Sequence, residues 1–397
     1  MIAPGAERRK RGGQVDNGAA GWYRGDVTMT GQRPTQALID LSALRHNLGV
    51  VREHVGPTCR IAAVVKADGY GHGAVEIARV ALEAGAQMLC VAIPGEGVEL
   101  RQHFPDAPIL VFGPAFPADV ETIVHHGLIQ TVEDADILPH FEQVAALYGK
   151  AAAVHLKVDT GMGRVGLQPE EVIPFMERAA RRERIRFGGV CSHFATADGD
   201  RAFAERQLAA FLDVVGRLQE RGFELGLRHM ANSAAVLSLP ESHLDMVRPG
   251  IMLYGLRPAP ELGEGLKPVM TVVSRITKLK VVPDGTPVSY GSTYRSRGRR
   301  SIATIPMGYA DGYRRGLSNR FHVIVRGKKA PVAGTVCMDM FMADVSDIEG
   351  VAKGDEVLIF GKRGDDLLPA EEMAEALGTI NYEIVTGISP RVPRLYR

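Results

Sequence analysis

The chain has 397 residues, 23% of them charged and 45% hydrophobic, enough for a sizeable core and too long for one ordinary domain. A net charge of +1 gives no electrostatic basis for a nucleic-acid or acidic-membrane partner, and no apolar run approaches the roughly 18 residues of a membrane span. Cys59, Cys90, Cys191 and Cys337 lie far apart with no CxxC, which argues against a disulfide framework or a metal site and fits a reducing compartment.

Residues 1–35 read as a disordered extension. Arg8, Arg9, Lys10 and Arg11 form a basic cluster, but no apolar core follows it, so a secretory signal is not expected. A basic nucleic-acid-binding arm is the alternative, although such clusters are usually solvated tails. Met29, just ahead of the patterned sequence, is a candidate native start.

Residues 34–41 introduce a strand, and Asp40 to Ser42 look like the cap of a helix running through residues 44–48. Residues 61–65 are small and β-branched, a buried strand with Lys66 at its end. Gly69, Gly71 and Gly73 then break the strand and let backbone come close to a ligand. Helical periodicity follows over 74–84 and stops at Gly85. A lysine in a polar cleft at a strand's C-terminal end suits a Schiff base, because desolvation lowers its pKa and frees the amine. Taken alone, the stretch fits a solvated lysine equally well.

The alternation continues. Strands are expected at 60–66, 88–93, 108–112, 128–132, 153–159, 187–193, 227–231 and 244–247, separated by amphipathic helices such as 133–148, 170–182 and 200–221. About eight strands alternating with helices is the pattern of a parallel (β/α)8 barrel over residues 36–255. A doubly wound sheet competes, but no G-x-G-x-x-G opens the first helix. A barrel carries its chemistry just after its strands, and polar residues collect there. Lys66 and Tyr70 follow the first strand, Arg164 the fifth, and His193 ends the sixth; Asn232 and Ser233 follow the seventh, and Arg248 the eighth. Beyond residue 255 apolar and polar residues alternate between closely spaced glycines, the mark of a mostly antiparallel β domain over 256–397, with one helix near 369–377.

Several segments together are specific. Val64-Val-Lys-Ala-Asp-Gly-Tyr-Gly-His-Gly73, Leu156-Lys-Val-Asp-Thr-Gly-Met-Gly-Arg-Val-Gly166, Ser192-His-Phe-Ala-Thr-Ala-Asp198 and Ala231-Asn-Ser-Ala-Ala235 occur in the first part. Val247-Arg-Pro-Gly-Ile251, Val288-Ser-Tyr-Gly291, Gly308-Tyr-Ala-Asp-Gly312, Cys337-Met-Asp339, Asn381-Tyr-Glu383 and Ser389-Pro-Arg-Val-Pro-Arg394 follow. In this order, from about residue 36 to the end, they resemble the alanine racemases, whose fold is a barrel followed by a β domain.

The resemblance implies pyridoxal 5'-phosphate as cofactor, carried by Lys66, and interconversion of L- and D-alanine, supplying D-alanine for peptidoglycan in a bacterial cytoplasm. It implies a phosphate site made by Tyr70, Ser233 and Tyr382 with the backbone N–H groups of Gly250 and Ile251, and Asn232 beside them. Arg248 would face the pyridine nitrogen. A guanidinium only donates, so that nitrogen would stay unprotonated, which suppresses transamination. His193 would pack beside the cofactor ring in a network with Arg248. Arg164 would bind cofactor and substrate carboxylate, with Met338 and Asp339 also at the substrate. Lys157 matches a lysine that many relatives carry as a carbamate; an ion pair with Asp159 is the plain alternative.

Racemisation needs a proton removed from one face and delivered to the other, so Lys66 requires a second base. Tyr290 matches it, a phenol that its neighbours must activate, and the resemblance implies a head-to-tail homodimer in which Tyr290 and Met338 complete the other chain's site. Asp198, Tyr309, Asp311, Ile380 and Tyr382 would line a narrow entrance. Three other readings compete: a broader racemase for serine or basic amino acids, a pyridoxal-phosphate-binding protein without Tyr290 chemistry, and a decarboxylase of related architecture. The loop at Ile93-Pro-Gly-Glu-Gly97, with its proline, has no assigned part in the pocket.

Overall fold

The computed structural model describes residues 33–397, so the reading of residues 1–32 lies outside the described residues. Eight short strands pair in parallel: β2 (Arg60–Val64), β3 (Met88–Val91), β4 (Ile109–Val111), β5 (Ile129–Val132), β6 (Ala152–Lys157), β7 (Ile185–Cys191), β8 (Leu227–His229) and β9 (Met246–Val247). Each pairs with the next from β2 to β8, and β9 returns to pair with β2. Two backbone bonds span the remaining seam, Asp245 N to Arg228 O at 3.1 Å and Arg248 N to Ala231 O at 2.9 Å. The eight-stranded barrel read from the sequence is thus present, and strand residues such as Ile61, Leu89, Leu110, Val154 and Val247 are all but inaccessible.

Helices return between the strands on the outside. Residues 200–221 form Arg201–Glu220, started by Asp200, whose carboxylate accepts from Phe203 N at 3.0 Å. Residues 133–148 and 170–182 contain the shorter helices Leu138–Leu147 and Val172–Ala179. The strands are shorter than their apolar runs, because β2 ends at Val64 and the chain turns before Lys66.

The segment β1 (Gln36–Ile39) precedes the barrel in sequence but pairs elsewhere, antiparallel with β10 (Met270–Arg275). Asp40 then caps the helix Leu41–Val55 through Ser42 N and Ala43 N, the cap expected from the sequence. The second half continues with β11 (Lys278–Val282), β12 (Pro287–Val288), β13 (Tyr294–Arg295), β14 (Arg300–Ile305), β15 (His322–Val325), β16 (Lys328–Pro331), β17 (Phe341–Asp344), β18 (Glu356–Arg363), β19 (Asp366–Leu368) and β20 (Arg394–Tyr396). One sheet runs β16-β15-β18-β10-β1-β20, antiparallel except for the last pair; a second runs β11-β14-β17; β12 and β13 form a hairpin. Among the described residues no helix is long and apolar enough to cross a membrane.

The two halves are joined through a tight corner. Gly255 has φ 72°, and a Cβ there would sit 1.7 Å from Lys267 O, so only glycine fits. Buried Asn47 fastens the corner to the first helix: its Nδ2 donates to Leu253 O at 3.0 Å and Lys267 O at 2.8 Å, and its Oδ1 accepts from Lys267 N at 2.8 Å. Asn47→Ala removes all three bonds and strands the buried Leu253 carbonyl, so urea unfolding should show a loss of about 2–4 kcal/mol. A loss below roughly 0.5 kcal/mol would mean that the corner holds without this side chain.

Candidate active site

The β2–α connection has an uncommon conformation. Ala67, Asp68, Gly69 and Tyr70 all lie in the left-handed helical region, with φ between 52° and 58°. Glycine takes this conformation freely, but each L-residue costs roughly 1–2 kcal/mol. The glycine pattern suggested a break in the strand; a left-handed turn that includes three residues with side chains was not legible. Hydrogen bonds hold it. Asp68 Oδ1 accepts from Ala74 N at 2.9 Å, and buried His72 Nδ1 lies 2.9 Å from Tyr70 O and 3.1 Å from Gly69 O. Glu96 Oε1 accepts from Ala67 N at 2.6 Å while its Oε2 accepts from Ala92 N at 2.7 Å. The Ile93-Pro-Gly-Glu stretch, read from the sequence as a loop, is the start of the helix Pro94–His103, and its Glu96 props the turn.

A cavity of about 530 Å³ opens at the C-terminal end of the barrel. Lys66, Tyr70, Lys157, Arg164, His193, Asn232, Ser233, Arg248, Gly250, Ile251 and Tyr382 all line it, with Phe112 and Thr131, which sequence reasoning did not single out. Burial lowers the Lys66 pKa from that of a free lysine, and the positive charge of Arg164 adds to the shift while Glu96 opposes it. Gly250 N donates to Ser233 Oγ at 2.9 Å, and a Cβ on Gly250 would lie 2.6 Å from the Tyr70 hydroxyl. Glycine there lets a phenol, a serine hydroxyl and main-chain N–H groups converge, a cradle with the donors that a phosphate needs. Ser233 opens the helix Ser233–Ser238, capped by Asn232 Oδ1 accepting from Ala235 N at 3.0 Å. Tyr70 packs between Tyr254 and Tyr382, with ring centroids 4.8 and 6.0 Å away, and burial raises its pKa; Tyr382 is pushed up to about 12, so both hydroxyls remain protonated donors.

Arg248 is buried behind them. One terminal nitrogen donates to His229 Nδ1 at 2.7 Å; the other reaches Ser192 O at 2.7 Å, His193 Nδ1 at 3.2 Å and Met230 O at 3.2 Å. Because arginine only donates, His229 must carry its proton on Nε2, which lies 2.8 Å from His155 Nδ1. That imidazole pair fits inside the wall because Gly188 and Gly189 lack side chains: a Cβ on Gly189 would lie 2.8 Å from the His155 ring and 2.7 Å from Leu227 O. The register of β6 against β7 shifts at this point. Sequence reasoning did not find His229, whose spacing is that of any core residue.

Asp159 accepts from the backbone N–H groups of Gly161, Met162 and Gly163 at 2.9–3.1 Å, which shapes the loop carrying Arg164. Its carboxylate is thus engaged by main chain, and the hydrogen bond of Lys157 Nζ runs instead to Val158 O at 3.2 Å. Burial brings the Lys157 pKa down to about 8.

Other residues singled out in the sequence lie outside this cavity. Asp198 and Ile380 line a wider groove that shares Arg164, His193, Asn232 and Tyr382 with it. Tyr290 sits at the tip of the β12–β13 hairpin, 74% exposed, and Met338 is 53% exposed. The Tyr290 turn is fastened by Ser289 Oγ to Thr335 O at 2.5 Å and Thr335 Oγ to Tyr290 O at 2.9 Å, with Ser289 itself at φ 67°. Tyr309 is exposed, Asp339 pairs with Arg391 at 2.7 Å, and Asp311 is wholly buried between Arg33 and Arg391.

A parallel eight-stranded barrel with a lysine-centred pocket, followed by an antiparallel β domain, defines a class of two-domain barrel proteins. Residues 39–258 match the family model of the alanine racemase N-terminal domain and residues 269–396 that of its C-terminal domain. The chain belongs to the alanine racemase family. Alanine racemase of Desulforamulus reducens is 47% identical over 370 residues, 92% of this chain and 99% of that one; the Halothermothrix orenii protein is 46% identical over 368 residues, covering 92% and 97%. Among solved structures, alanine racemase from D-cycloserine-producing Streptomyces lavendulae superposes with a TM-score of 0.88 at 39% identity, covering 93% and 98% of the two chains. The Bacillus anthracis alanine racemase with bound L-Ala-P gives 0.87 at 36% identity, covering 93% and 96%.

Burial brings His72 and His155 to about 4 and holds His193 and His229 well below the usual histidine value, with the nearby Arg248 charge adding to the last three. Their neutral forms belong to the fold, so the unfolded chain takes up protons first. Stability is therefore complete above about pH 6.5 and drains away as pH falls toward 4. Denaturant titrations across this window should show that slope, and His155→Gln, which keeps an acceptor for His229, should flatten it. His155→Leu should cost about 1–3 kcal/mol even near pH 7.5, because it orphans the His229 donor; equal stability of the two variants would contradict the relay.

Proposed function

We propose that this protein interconverts L- and D-alanine, with pyridoxal 5'-phosphate held at Lys66. The observation that carries the reading is the convergence on one cavity of a lysine with a lowered pKa, a cluster of hydroxyl and main-chain donors and a donor-only arginine. When bound, the cofactor would acidify the substrate Cα–H by delocalising the electrons left behind.

Tyr70, Ser233 and Tyr382 hydroxyls, the Gly250 and Ile251 N–H groups and neighbouring Asn232 would hold the phosphate. Lys66 Nζ would bind the cofactor carbonyl carbon and, once released, move the Cα proton on its own face. Arg248, with four acceptors around its guanidinium, would present a fixed donor to the ring nitrogen and keep it unprotonated. His193 would flank the ring, and Arg164 would grip the substrate carboxylate, a task suited to its forked donors.

The second face needs a second group. We assign it to Tyr290, and with it Met338 and Asp339, from a partner copy paired head to tail. Support comes from their position outside the Lys66 cavity of their own chain and from the exposure of Tyr290, Tyr309, Met338, Met340 and Ile380. Lys157 we read as a carbamate that orients Arg164: a pKa of about 8 leaves neutral amine to attack carbon dioxide with loss of a proton, and Asp159 is engaged elsewhere. An intact mass raised by one carbon dioxide would support this; an unmodified Lys157 would remove it. Such an activity in the cytoplasm would supply D-alanine for peptidoglycan.

The test is a racemisation assay on both isomers of alanine, serine and lysine. Tyr290→Phe should keep the cofactor's absorbance and lose turnover by roughly 10²- to 10⁴-fold; wild-type turnover would remove the two-base assignment. Arg248→Glu should raise transamination relative to racemisation, and an unchanged ratio would contradict the role given to Arg248.

A further inference from the structure

Asp311 lies at the centre of a four-residue ion network that the pocket does not use. Its carboxylate is fully buried, and Arg33, from the segment before β1, grips both oxygens, one through NH2 to Oδ2 at 2.9 Å. Arg391, from the tail before β20, approaches Oδ1 at 3.4 Å and reaches Asp339 at 2.7 Å with its other arm. Two arginines and two aspartates make a neutral set, so no buried charge lacks a partner. Asp311 Oδ2 also accepts from Gly308 N at 2.9 Å, and its carbonyl accepts from Ser389 N at 3.2 Å. Arg33 and Thr35 both donate to Pro306 O, at 3.2 and 2.8 Å.

This network fixes a turn against a second loop. Tyr309 N donates to Cys337 O and Ala310 N to Met338 O, both at 3.0 Å. A Cβ on Gly308 would lie 2.2 Å from Met338 O, and one on Gly312 would lie 2.5 Å from Gly387 O. Tyr309 and Met338 therefore stand on two backbone segments bonded to each other, one of which carries the buried Asp311.

We propose that Arg33, Asp311 and Arg391 are positioning residues: they lock the turn of residues 308–312 onto the loop of residues 337–339, so that Tyr309 and Met338 are held in place for the partner's site rather than their own. The inference rests on the shared-site reading above. Both termini of the described chain thus act on catalysis through a carboxylate in the middle of the β domain. Arginine is required at position 33 because only a guanidinium spans both carboxylate oxygens.

The test uses hybrid dimers of full-length, cofactor-loaded chains. Arg33→Gln alone should keep the cofactor's absorbance and lose kcat roughly tenfold or more, with a smaller change in KM. Co-expressed with Lys66→Ala, it should regain one working site, built from the lysine of the Arg33→Gln chain and the intact face of the other. A Tyr290→Phe and Lys66→Ala pair serves as control. If the control regains activity and the Arg33→Gln pair does not, Arg33 acts on its own barrel and the proposal falls. If the control also fails, the shared-site reading falls and takes the proposal with it. Should Arg33→Gln not fold, Arg33→Lys replaces it: it should show a partial loss rescued in the hybrid, and wild-type kcat in that variant would overturn the proposal.

Discussion

Arg248 closes the barrel twice. Its backbone N–H bonds Ala231 O across the seam between β8 and β9, and its side chain gathers acceptors from the ends of β7 and β8. A guanidinium cannot accept and does not deprotonate in a protein, so every group facing it must present a lone pair. Four do, and this fixes the tautomer of His229 and sets what His155 must offer behind it. The same requirement faces into the cavity, where any ring nitrogen meeting Arg248 has to be an acceptor. A buried arginine at the seam would thereby also supply the donor that the proposed chemistry needs.

The left-handed turn after β2 is the second constraint. Ala67, Asp68 and Tyr70 together hold roughly 3–6 kcal/mol of conformational cost. The bonds from Glu96, Asp68 and His72 offset it, and the outcome is geometric: Lys66 and Tyr70 both line one pocket although they are only four residues apart. Within the same stretch Gly71 and Gly73 sit where a Cβ would lie 2.5 Å from Val385 O and 1.9 Å from the Tyr396 hydroxyl, so the turn packs directly against the C-terminal segment.

Much of this was legible in the sequence because a parallel barrel leaves a simple trace. Apolar β-branched runs mark strands, and polar residues that a core would not tolerate mark their C-terminal ends. Lys66, His193, Ser233 and Arg248 were found that way, and all line the cavity. What stayed hidden depends on contacts between distant segments. Residues 36–39 read as a strand, but nothing in an extended pattern says that β10 and β20 are its neighbours. His229 looks like a core position until Arg248 is seen beside it. Asp311 was expected among the residues lining the entrance; it is wholly buried instead, held by Arg33, 278 positions away.

The central claim is that alanine is turned over between two bases on opposite faces, Lys66 and a Tyr290 supplied by a second copy. Its most direct test is turnover of L-alanine in deuterium oxide with the first-formed D-alanine analysed by mass spectrometry. Two separate bases require that product to carry solvent deuterium at Cα from the earliest time points. D-alanine that instead retains the substrate's own Cα hydrogen would mean a single base serving both faces, and would contradict the account.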